Sequence, residues 1–343
     1  GSAATVLAHP GHHDEHDAQS LLQRRGERRQ EMINTLRAQK RHAKAARAAA
    51  EKRSAANCKR QSGSAPGGAE ASAFTNETLA TSHHSNRTDI TANSTSSDIF
   101  GSTTDSSACI LQPEATIGPY WVDGEYVRDD ISEDQEGVEL HMSVQFLDVN
   151  TCEPVTDLYW EAWHCNATGV YSGVVASGNG NTDDTTNLNN TFLRGMTKTD
   201  DLGVATLKSI VPGHYTGRTS HVHVIGHTNV TVLANGTIGT GTGDDATNTA
   251  VHIGQLFFDQ DLLTEVETTA PYNTNTQEVT TNSEDSIFAG ETTDDSPDPV
   301  FNYVYLGDDV SDGLFAWLTI GVNATASYTT SAASTYYEEG GIA

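Results

Sequence analysis

Long hydrophobic runs are missing from this 343-residue chain. A membrane-spanning helix needs roughly 18 or more consecutive apolar residues. The longest candidate, around Leu314–Val322, is too short and is interrupted by Thr and Gly. We therefore expect no membrane partner, and a chain of this length can bury a sizeable core.

Basic residues are scarce after residue 60. Residues 61–343 contain only six of the 19 Lys and Arg but 40 of the 46 Asp and Glu. Contacts to nucleic-acid phosphates require clustered Lys and Arg, so we expect no nucleic-acid partner for this acidic part. The other 13 basic residues lie in 1–60, which indicates that two parts of different character are joined.

The composition of the first hundred residues predicts two segments. From about Gln19 the chain is rich in Ala, Arg, Gln, Lys and Glu and has no proline up to about Ala56, which favours helix. We predict a basic helical N-terminal arm over 1–56 that packs on another surface or pairs with a second copy in a homodimer. Residues 57–107 are dense in Ser, Thr, Gly, Ala and Asn and predict a glycosylated linker.

Cysteine is also scarce, with only four residues, at 58, 109, 152 and 165. An even number of cysteines, together with eight N-x-Ser/Thr sequons, favours a secreted, oxidised glycoprotein. Cys152 and Cys165 flank neighbouring strand candidates, so a bridge between them would staple the sheet and leave Cys58 to pair with Cys109. Three pairings are open, and the sequence does not choose among them. The sequons begin at Asn76, Asn86, Asn93, Asn166, Asn189, Asn229, Asn235 and Asn323.

From Cys109 onward, short apolar runs alternate with turn signals. We predict strands at 138–149, 158–164, 203–211, 219–225, 229–233 and 255–258, and strand character again within 308–322. Strands without helical intervals predict an all-β fold, an antiparallel β-sandwich with long loops, over 108–325. The stretch 267–299 is predicted to be a long acidic loop, of a kind that is usually functional or disordered. Residues 326–343 are predicted to be a polar C-terminal tail.

One stretch, Pro212–Val224, contains a tyrosine, an arginine and two histidines within nine residues. Residues i and i+2 of a strand point to the same face, so His221 and His223 project side by side and can reach one metal ion. Taken alone, the pair is explained equally well as two solvent-facing histidines. Tyr171 alone is most simply an aromatic anchor at a strand end.

Further motifs accompany the histidine pair in a fixed order. These are Gly118-Pro119-Tyr120-Trp121, Glu161-Ala162-Trp163-His164, Gly169-Val170-Tyr171, Pro212-Gly213-His214-Tyr215, Arg218 and His221-Val222-His223. Their order resembles that of the intradiol ring-cleaving dioxygenases, most of all extracellular fungal members, over roughly 108–325. Trp121 stands where many relatives have a second tyrosine, a change that affects the shape of the pocket.

The resemblance implies a site for non-haem Fe(III) with four ligands, Tyr171, Tyr215, His221 and His223. Phenolate oxygens suit a hard, oxidised metal. It further implies that Tyr215 leaves the metal and accepts a proton, that Arg218 stabilises negative charge, and that Gln255 orients the substrate. Tyr120 is expected to form a pocket wall. The implied reaction uses O2 to cleave a small catechol-type substrate between its two hydroxyl-bearing carbons, giving muconate-type dicarboxylates.

Two other functions fit parts of the pattern. The chain could be a non-catalytic glycosylated β-sandwich that binds carbohydrate or aromatic ligands, or a copper- or zinc-binding protein that uses the two histidines. His164 is expected to have a structural role and not to be a ligand, and Arg194 is expected to hold a turn near the pocket.

Overall fold

The structure, a computed structural model, describes residues 72–101, 109–176, 178–180, 184–239, 248–293, 296–337 and 340–342. The predicted arm over 1–56, its proposed role in a homodimer and the pairing of Cys58 lie outside these ranges. Among the residues described, no helix is long and apolar enough to cross a membrane.

Strands dominate the described residues and helices are few and short, as the sequence predicts. The strands are β1 (Val122–Asp123), β2 (Glu139–Asp148), β3 (Tyr159–Trp163), β4 (Arg194–Lys198), β5 (Val204–Ile210), β6 (His221–Thr228), β7 (Thr249–Phe257), β8 (Asn302–Tyr305), β9 (Leu314–Val322), β10 (Ser334–Tyr337) and β11 (Gly340–Ile342). The helices are α1 (Ala73–Ala80), α2 (Ser96–Phe100), α3 (Gln260–Val266) and α4 (Ser286–Glu291).

Two four-stranded sheets carry the fold, with the strand orders β5-β2-β9-β8 and β4-β3-β6-β7. All neighbours in the second sheet are antiparallel. In the first sheet β2 runs parallel to β9, from the pair Leu140 and Leu314 to the pair Asp148 and Val322. The prediction of a fully antiparallel arrangement is therefore wrong for this pair. A short hairpin turn forces the two strands that it joins to pair antiparallel. β2 and β9 are far apart in the sequence and are not joined by such a turn, so they can pair in parallel.

One hydrophobic core is shared by the two sheets. Leu140, Met142, Val144 and Phe146, every second residue of β2, are fully buried in it. Alternate residues of β3 and β6, such as Trp160 and Val222, join the same cluster. Because successive strand residues point to opposite faces, the histidines at 221 and 223 lie on the other face of their sheet. This arrangement is consistent with the predicted β-sandwich.

Two local predictions differ from the structure. The strand predicted at 229–233 does not form, because Asn229 has a φ of 55°, a left-handed conformation that ends a strand. The stretch 267–299 is not a plain loop, since it contains α4 and short 3-10 helices at Tyr272–Thr274 and Asn282–Glu284.

The disulfide joins Cys109 to Cys152, with their Cα atoms 5.5 Å apart. The bridge from Cys152 to Cys165 considered from the sequence is therefore wrong. Cys152 lies in the turn after β2. Cys109 is close to it because Leu111, two residues later, forms a β-bridge with Gly321 of β9, the strand that pairs with β2. Cys165 follows β3 in the other sheet, where its buried thiol donates a hydrogen bond to the carbonyl oxygen of Gly213 at 3.3 Å.

Residues 72–101, part of the predicted linker, pack against the two-sheet domain. The backbone of this segment forms two hydrogen bonds with Tyr303 of β8. The Tyr303 carbonyl oxygen accepts from the Ser85 amide, and the Tyr303 amide donates to the carbonyl oxygen of His83. The His83 ring is buried between two carboxylates, with Nδ1 2.6 Å from Asp259 Oδ1 and Nε2 3.0 Å from Asp298 Oδ2. These contacts attach the segment to the chain between β7 and β8.

The stability of this attachment should depend on pH. Burial alone lowers the pKa of His83, but the bonds to Asp259 and Asp298 raise it to about 9. The folded state therefore binds the proton more tightly than the unfolded chain, in which histidine titrates near 6.5. The contribution is fully present below pH 6.5 and is lost as the pH rises through 9. We expect the free energy of unfolding, measured in urea, to fall by roughly 3 kcal/mol over this window.

The variant His83→Gln serves as the control for this prediction. It should lack that part of the pH dependence while keeping the contributions of all other groups. Identical pH profiles for the variant and the parent protein would contradict the assignment.

Candidate active site

The four residues predicted as metal ligands lie together. His221 Nε2 is 3.1 Å from His223 Nε2 and 3.4 Å from the hydroxyl oxygens of both Tyr171 and Tyr215. Ligands that share one ion at bond lengths of ~2.0–2.1 Å place their donor atoms about 3 Å apart. Side chains from three separate segments thus converge on a point at which a single ion fits.

The local backbone explains how these residues are positioned. His221 and His223 share a face of β6, which lies between β3 and β7. Tyr171 follows Gly169, whose φ is +84° and where a Cβ atom would lie 2.3 Å from the carbonyl oxygen of His214. The Asn179 side chain accepts from the Tyr171 backbone amide at 2.7 Å and donates to its carbonyl at 2.8 Å. Tyr171 is therefore held at its backbone as well as by its fully buried ring.

The two imidazoles are oriented by their surroundings. His221 Nδ1 lies 2.6 Å from the carbonyl oxygen of Thr219 and donates to it, which leaves the lone pair of Nε2 for a ligand bond. The ring of His223 stacks on Trp163 at 4.6 Å and 4°. Gly118 lies against the same ring, since a Cβ there would be 3.1 Å from His223 Cε1.

The protonation states of the site suit a metal ion. Burial lowers the pKa of His221 to about 3, and that of His223 well below its usual value, so both imidazoles are neutral with available lone pairs. Burial raises the pKa of both Tyr171 and Tyr215, so the phenols ionise only if a cation compensates the charge. Two neutral imidazoles and two phenols fit a cation with a preference for anionic oxygen.

Arg218 and Gln255 lie beside these four side chains. Gln255 is the β7 partner of His223 in the sheet register. Its Oε1 accepts from Arg218 Nη2 at 2.5 Å, and its Nε2 donates to the carbonyl oxygen of Thr116 at 3.0 Å. Arg218 Nε donates to Asp285 Oδ2 at 2.8 Å. The two residues predicted to act on substrate are therefore in direct contact.

Tyr120 packs beside Tyr171. Its ring centroid is 5.0 Å from that of Tyr171, and the two belong to one hydrophobic cluster with Trp121 and Val174. Its role as a pocket wall stays a prediction.

Arg194 and His164 have the structural contacts expected from the sequence. Arg194 is 1% exposed and donates to the carbonyl oxygens of Ser172 and Tyr120, at 2.7 and 2.6 Å from Nη2. It therefore joins the segments that contain Tyr171 and Tyr120. His164 is fully buried, donates from Nδ1 to the carbonyl of Cys165 and accepts at Nε2 from Ser209 Oγ at 2.7 Å. Both ring nitrogens of His164 are thus engaged away from the ligand set.

The sequence did not assign roles to two residues that support the site. Trp163 belongs to a recognised motif, but nothing in the motif shows that its ring stacks on His223. No sequence pattern distinguishes Asp285, because it is one of many acidic residues between 267 and 299. Within the described ranges no group of three or more His, Cys, Asp or Glu side chains is arranged to hold a metal. The two tyrosines are therefore what distinguishes this site from zinc sites built on His and Cys.

The chain is similar to solved structures of ring-cleaving dioxygenases. An intradiol ring-cleavage dioxygenase from Tetranychus urticae is 29% identical, with a TM-score of 0.50, and the match covers 64% of this chain and 98% of that one. The dioxygenase domain of a dioxygenase–carbohydrate-binding fusion from Streptomyces sp. SirexAA-E matches at 21% identity and a TM-score of 0.37, over 62% of this chain and 97% of that one. Catechol 1,2-dioxygenase from Acinetobacter sp. ADP1 matches at 19% sequence identity and a TM-score of 0.37, over 62% of each chain.

At its identity and TM-score, the Tetranychus urticae enzyme shares both fold and recognisable sequence with this chain. The resemblance to the intradiol ring-cleavage dioxygenases that the motifs indicate is confirmed. No protein-family model and no curated protein matches the chain.

Proposed function

We propose that this protein is a secreted non-haem Fe(III) dioxygenase that cleaves catechol-type aromatics between the two hydroxyl-bearing carbons, giving muconate-type dicarboxylates. The observation that carries the proposal is the convergence of two phenols and two neutral imidazoles, with donor atoms 3.1 to 3.4 Å from His221 Nε2. The match to the Tetranychus urticae enzyme supports the same reaction class.

Tyr171, Tyr215, His221 and His223 would hold the ion. When bound, a ferric ion supplies Lewis acidity that favours the doubly deprotonated catechol and orients it. The anionic phenolate oxygens of the ligand set suit the ferric state over the ferrous one.

The two tyrosines differ in their freedom to move. Tyr171 is fully buried and fixed at its backbone by Asn179. Tyr215 is only partly buried and precedes the exposed residues Thr216 and Gly217. This asymmetry supports Tyr215 as the residue that swings away when substrate binds, its phenolate oxygen accepting the proton of a substrate hydroxyl.

Arg218 and Gln255 act on the substrate in this proposal. The Arg218 guanidinium is 18% exposed and carries a permanent positive charge beside the ligand set. A fixed charge aimed at the place where negative charge develops lowers the barrier without reorganisation. Gln255 is bonded at both ends of its amide and would orient the substrate oxygen next to His223.

Oxygen uptake with catechol tests this function. We expect the ferric protein to consume one O2 per catechol and to form a dicarboxylate that carries both oxygen atoms, detected by mass spectrometry with labelled O2. His141→Ala, on the other sheet, should leave the rate unchanged. A ferric-loaded protein that consumes no O2 with any member of a catechol panel would overturn the proposal and favour the copper, zinc or non-catalytic alternatives.

Secretion and glycosylation belong to the same proposal. The disulfide of Cys109 and Cys152 supports an oxidising compartment. Six of the eight sequon asparagines are exposed, as attachment of a glycan requires. They are Asn76, Asn86, Asn93, Asn189, Asn229 and Asn235.

A further inference from the structure

Asp285 is a buried carboxylate whose two oxygens face different parts of the molecule. It precedes α4 and is 2% exposed. Oδ1 accepts from the backbone amides of Ile287 and Phe288 at 2.8 and 3.0 Å. Oδ2 accepts from Arg218 Nε and from the Thr219 backbone amide, both at 2.8 Å. The first oxygen caps the helix, and the second bonds to residues that immediately precede His221.

The Oδ2 contacts go beyond what a helix cap needs. A capping side chain satisfies free amides in the first turn of its own helix, and Oδ1 alone does this for α4. Oδ2 instead fixes the Nε edge of Arg218. Because the guanidinium is planar with its donors in a rigid fork, fixing Nε sets the direction of Nη2. That nitrogen donates to Gln255 Oε1 at 2.5 Å.

The segment before β6 has a second attachment that does not involve Asp285. Thr219 Oγ1 donates to Asn282 Oδ1 at 2.6 Å, and Asn282 Nδ2 donates to the carbonyl oxygen of Phe258 at 2.8 Å. The backbone ahead of His221 therefore keeps a buried bond to the chain that follows β7 when the charge of Asp285 is removed. What Asp285 adds is the bond to Nε, which fixes the Arg218 guanidinium on the side away from Gln255.

We infer that Asp285 is a positioning residue of the active site, which holds Arg218 toward Gln255 and the metal ligands and affects ring cleavage only through Arg218. The inference rests on the proposed function. The acidic stretch 267–299 then contributes to the active site, because it supplies the carboxylate that orients the Arg218 guanidinium.

Asp285→Asn tests the inference with the smallest change in shape. The amide oxygen still caps α4, but the amide nitrogen that replaces Oδ2 cannot accept from Arg218 or Thr219. We expect kcat to fall by about 10- to 100-fold, the size expected for losing a charge-assisted hydrogen bond. KM should change much less, because Arg218 acts on charge that develops during the reaction. Iron content and the visible spectrum should be unchanged, since the ligands are intact.

A double-variant comparison separates positioning from general damage. In an Arg218→Gln background, adding Asp285→Asn should cause no further loss of kcat. Asp259→Asn is the matched control, because it changes another buried carboxylate whose partner is His83; it should lower stability and leave kcat unchanged. Equal losses from Asp285→Asn with and without Arg218 would overturn the inference.

An NMR measurement that does not depend on catalysis completes the test. In the metal-free protein, the Nε–H proton of Arg218 should be protected from exchange in nitrogen-15 NMR spectra, and Asp285→Asn should remove the protection. Arg218→Gln identifies the signal. A protected proton in Asp285→Asn would overturn the inference. If the parent protein cleaves no catechol, the proposed function fails, and the NMR result still decides whether Asp285 holds Arg218.

Discussion

Replacing His223 with alanine should abolish ferric-iron binding and reduce catechol cleavage by more than about 1,000-fold. Losing an outer partner of a metal ligand already reduces affinity or activity by ~10–100-fold, and the loss of a ligand is more severe. His223 is clamped between Trp163 and Gly118, so packing holds its imidazole in the position that the variant would empty. Metal analysis after ferric loading and dialysis, together with oxygen uptake, measures both effects.

His141→Ala is the control for this prediction. His141 lies on β2 in the other sheet, where it pairs with Glu139, so this variant should keep its iron and its rate. A His223→Ala protein that retains stoichiometric iron and normal turnover would contradict the ligand assignment.

Replacing Arg194 with leucine should lower the free energy of unfolding by about 3–5 kcal/mol, the usual effect of removing one partner of a buried charged network. The guanidinium is 1% exposed and satisfies the carbonyl oxygens of Ser172 and Tyr120. Its charge also lies 3.8 Å from Glu125, which is buried as well. Leucine would leave the carbonyls unbonded and the acid unpaired. Urea denaturation measures the change.

Lys198→Met on the same strand, β4, is the matched comparison. Lys198 is about half exposed and pairs with Asp157 at the surface, where solvent screening leaves an ion pair little net effect on stability. A loss of stability in Arg194→Leu no larger than that in Lys198→Met would contradict a structural role for the buried charge of Arg194.

Local pattern and motif order were enough to predict much of this molecule. The apolar alternation at 138–149 becomes β2, Glu139–Asp148, because successive residues of a strand point to opposite faces and the core-facing positions therefore recur with a period of two. Side-by-side projection of His221 and His223 follows from the same period. The position of Tyr171 beside these histidines, although it lies fifty residues before His221, could be expected only from the order of several motifs, since no local pattern links it to them.

Contacts between distant residues were not predictable from the sequence. The parallel pairing of β2 with β9 and the bond of Cys109 to Cys152 depend on the path of the whole chain. Helix α4 has only six residues, too few for a clear periodic pattern. The acidic composition around it hid Asp285, whose importance becomes visible only through its contact with Arg218.

The visible spectrum after ferric loading tests the central claim, that Tyr171 and Tyr215 bind iron together with the two histidines. A tyrosinate–Fe(III) bond gives a red-brown charge-transfer band. We expect this band in the parent protein, a shifted and weaker band in Tyr171→Phe and in Tyr215→Phe, and none in the double variant. Tyr305→Phe, whose hydroxyl bonds to Glu265 outside the site, should leave the band unchanged. A protein that stays colourless after ferric loading, or a band that neither ligand variant alters, would contradict the account.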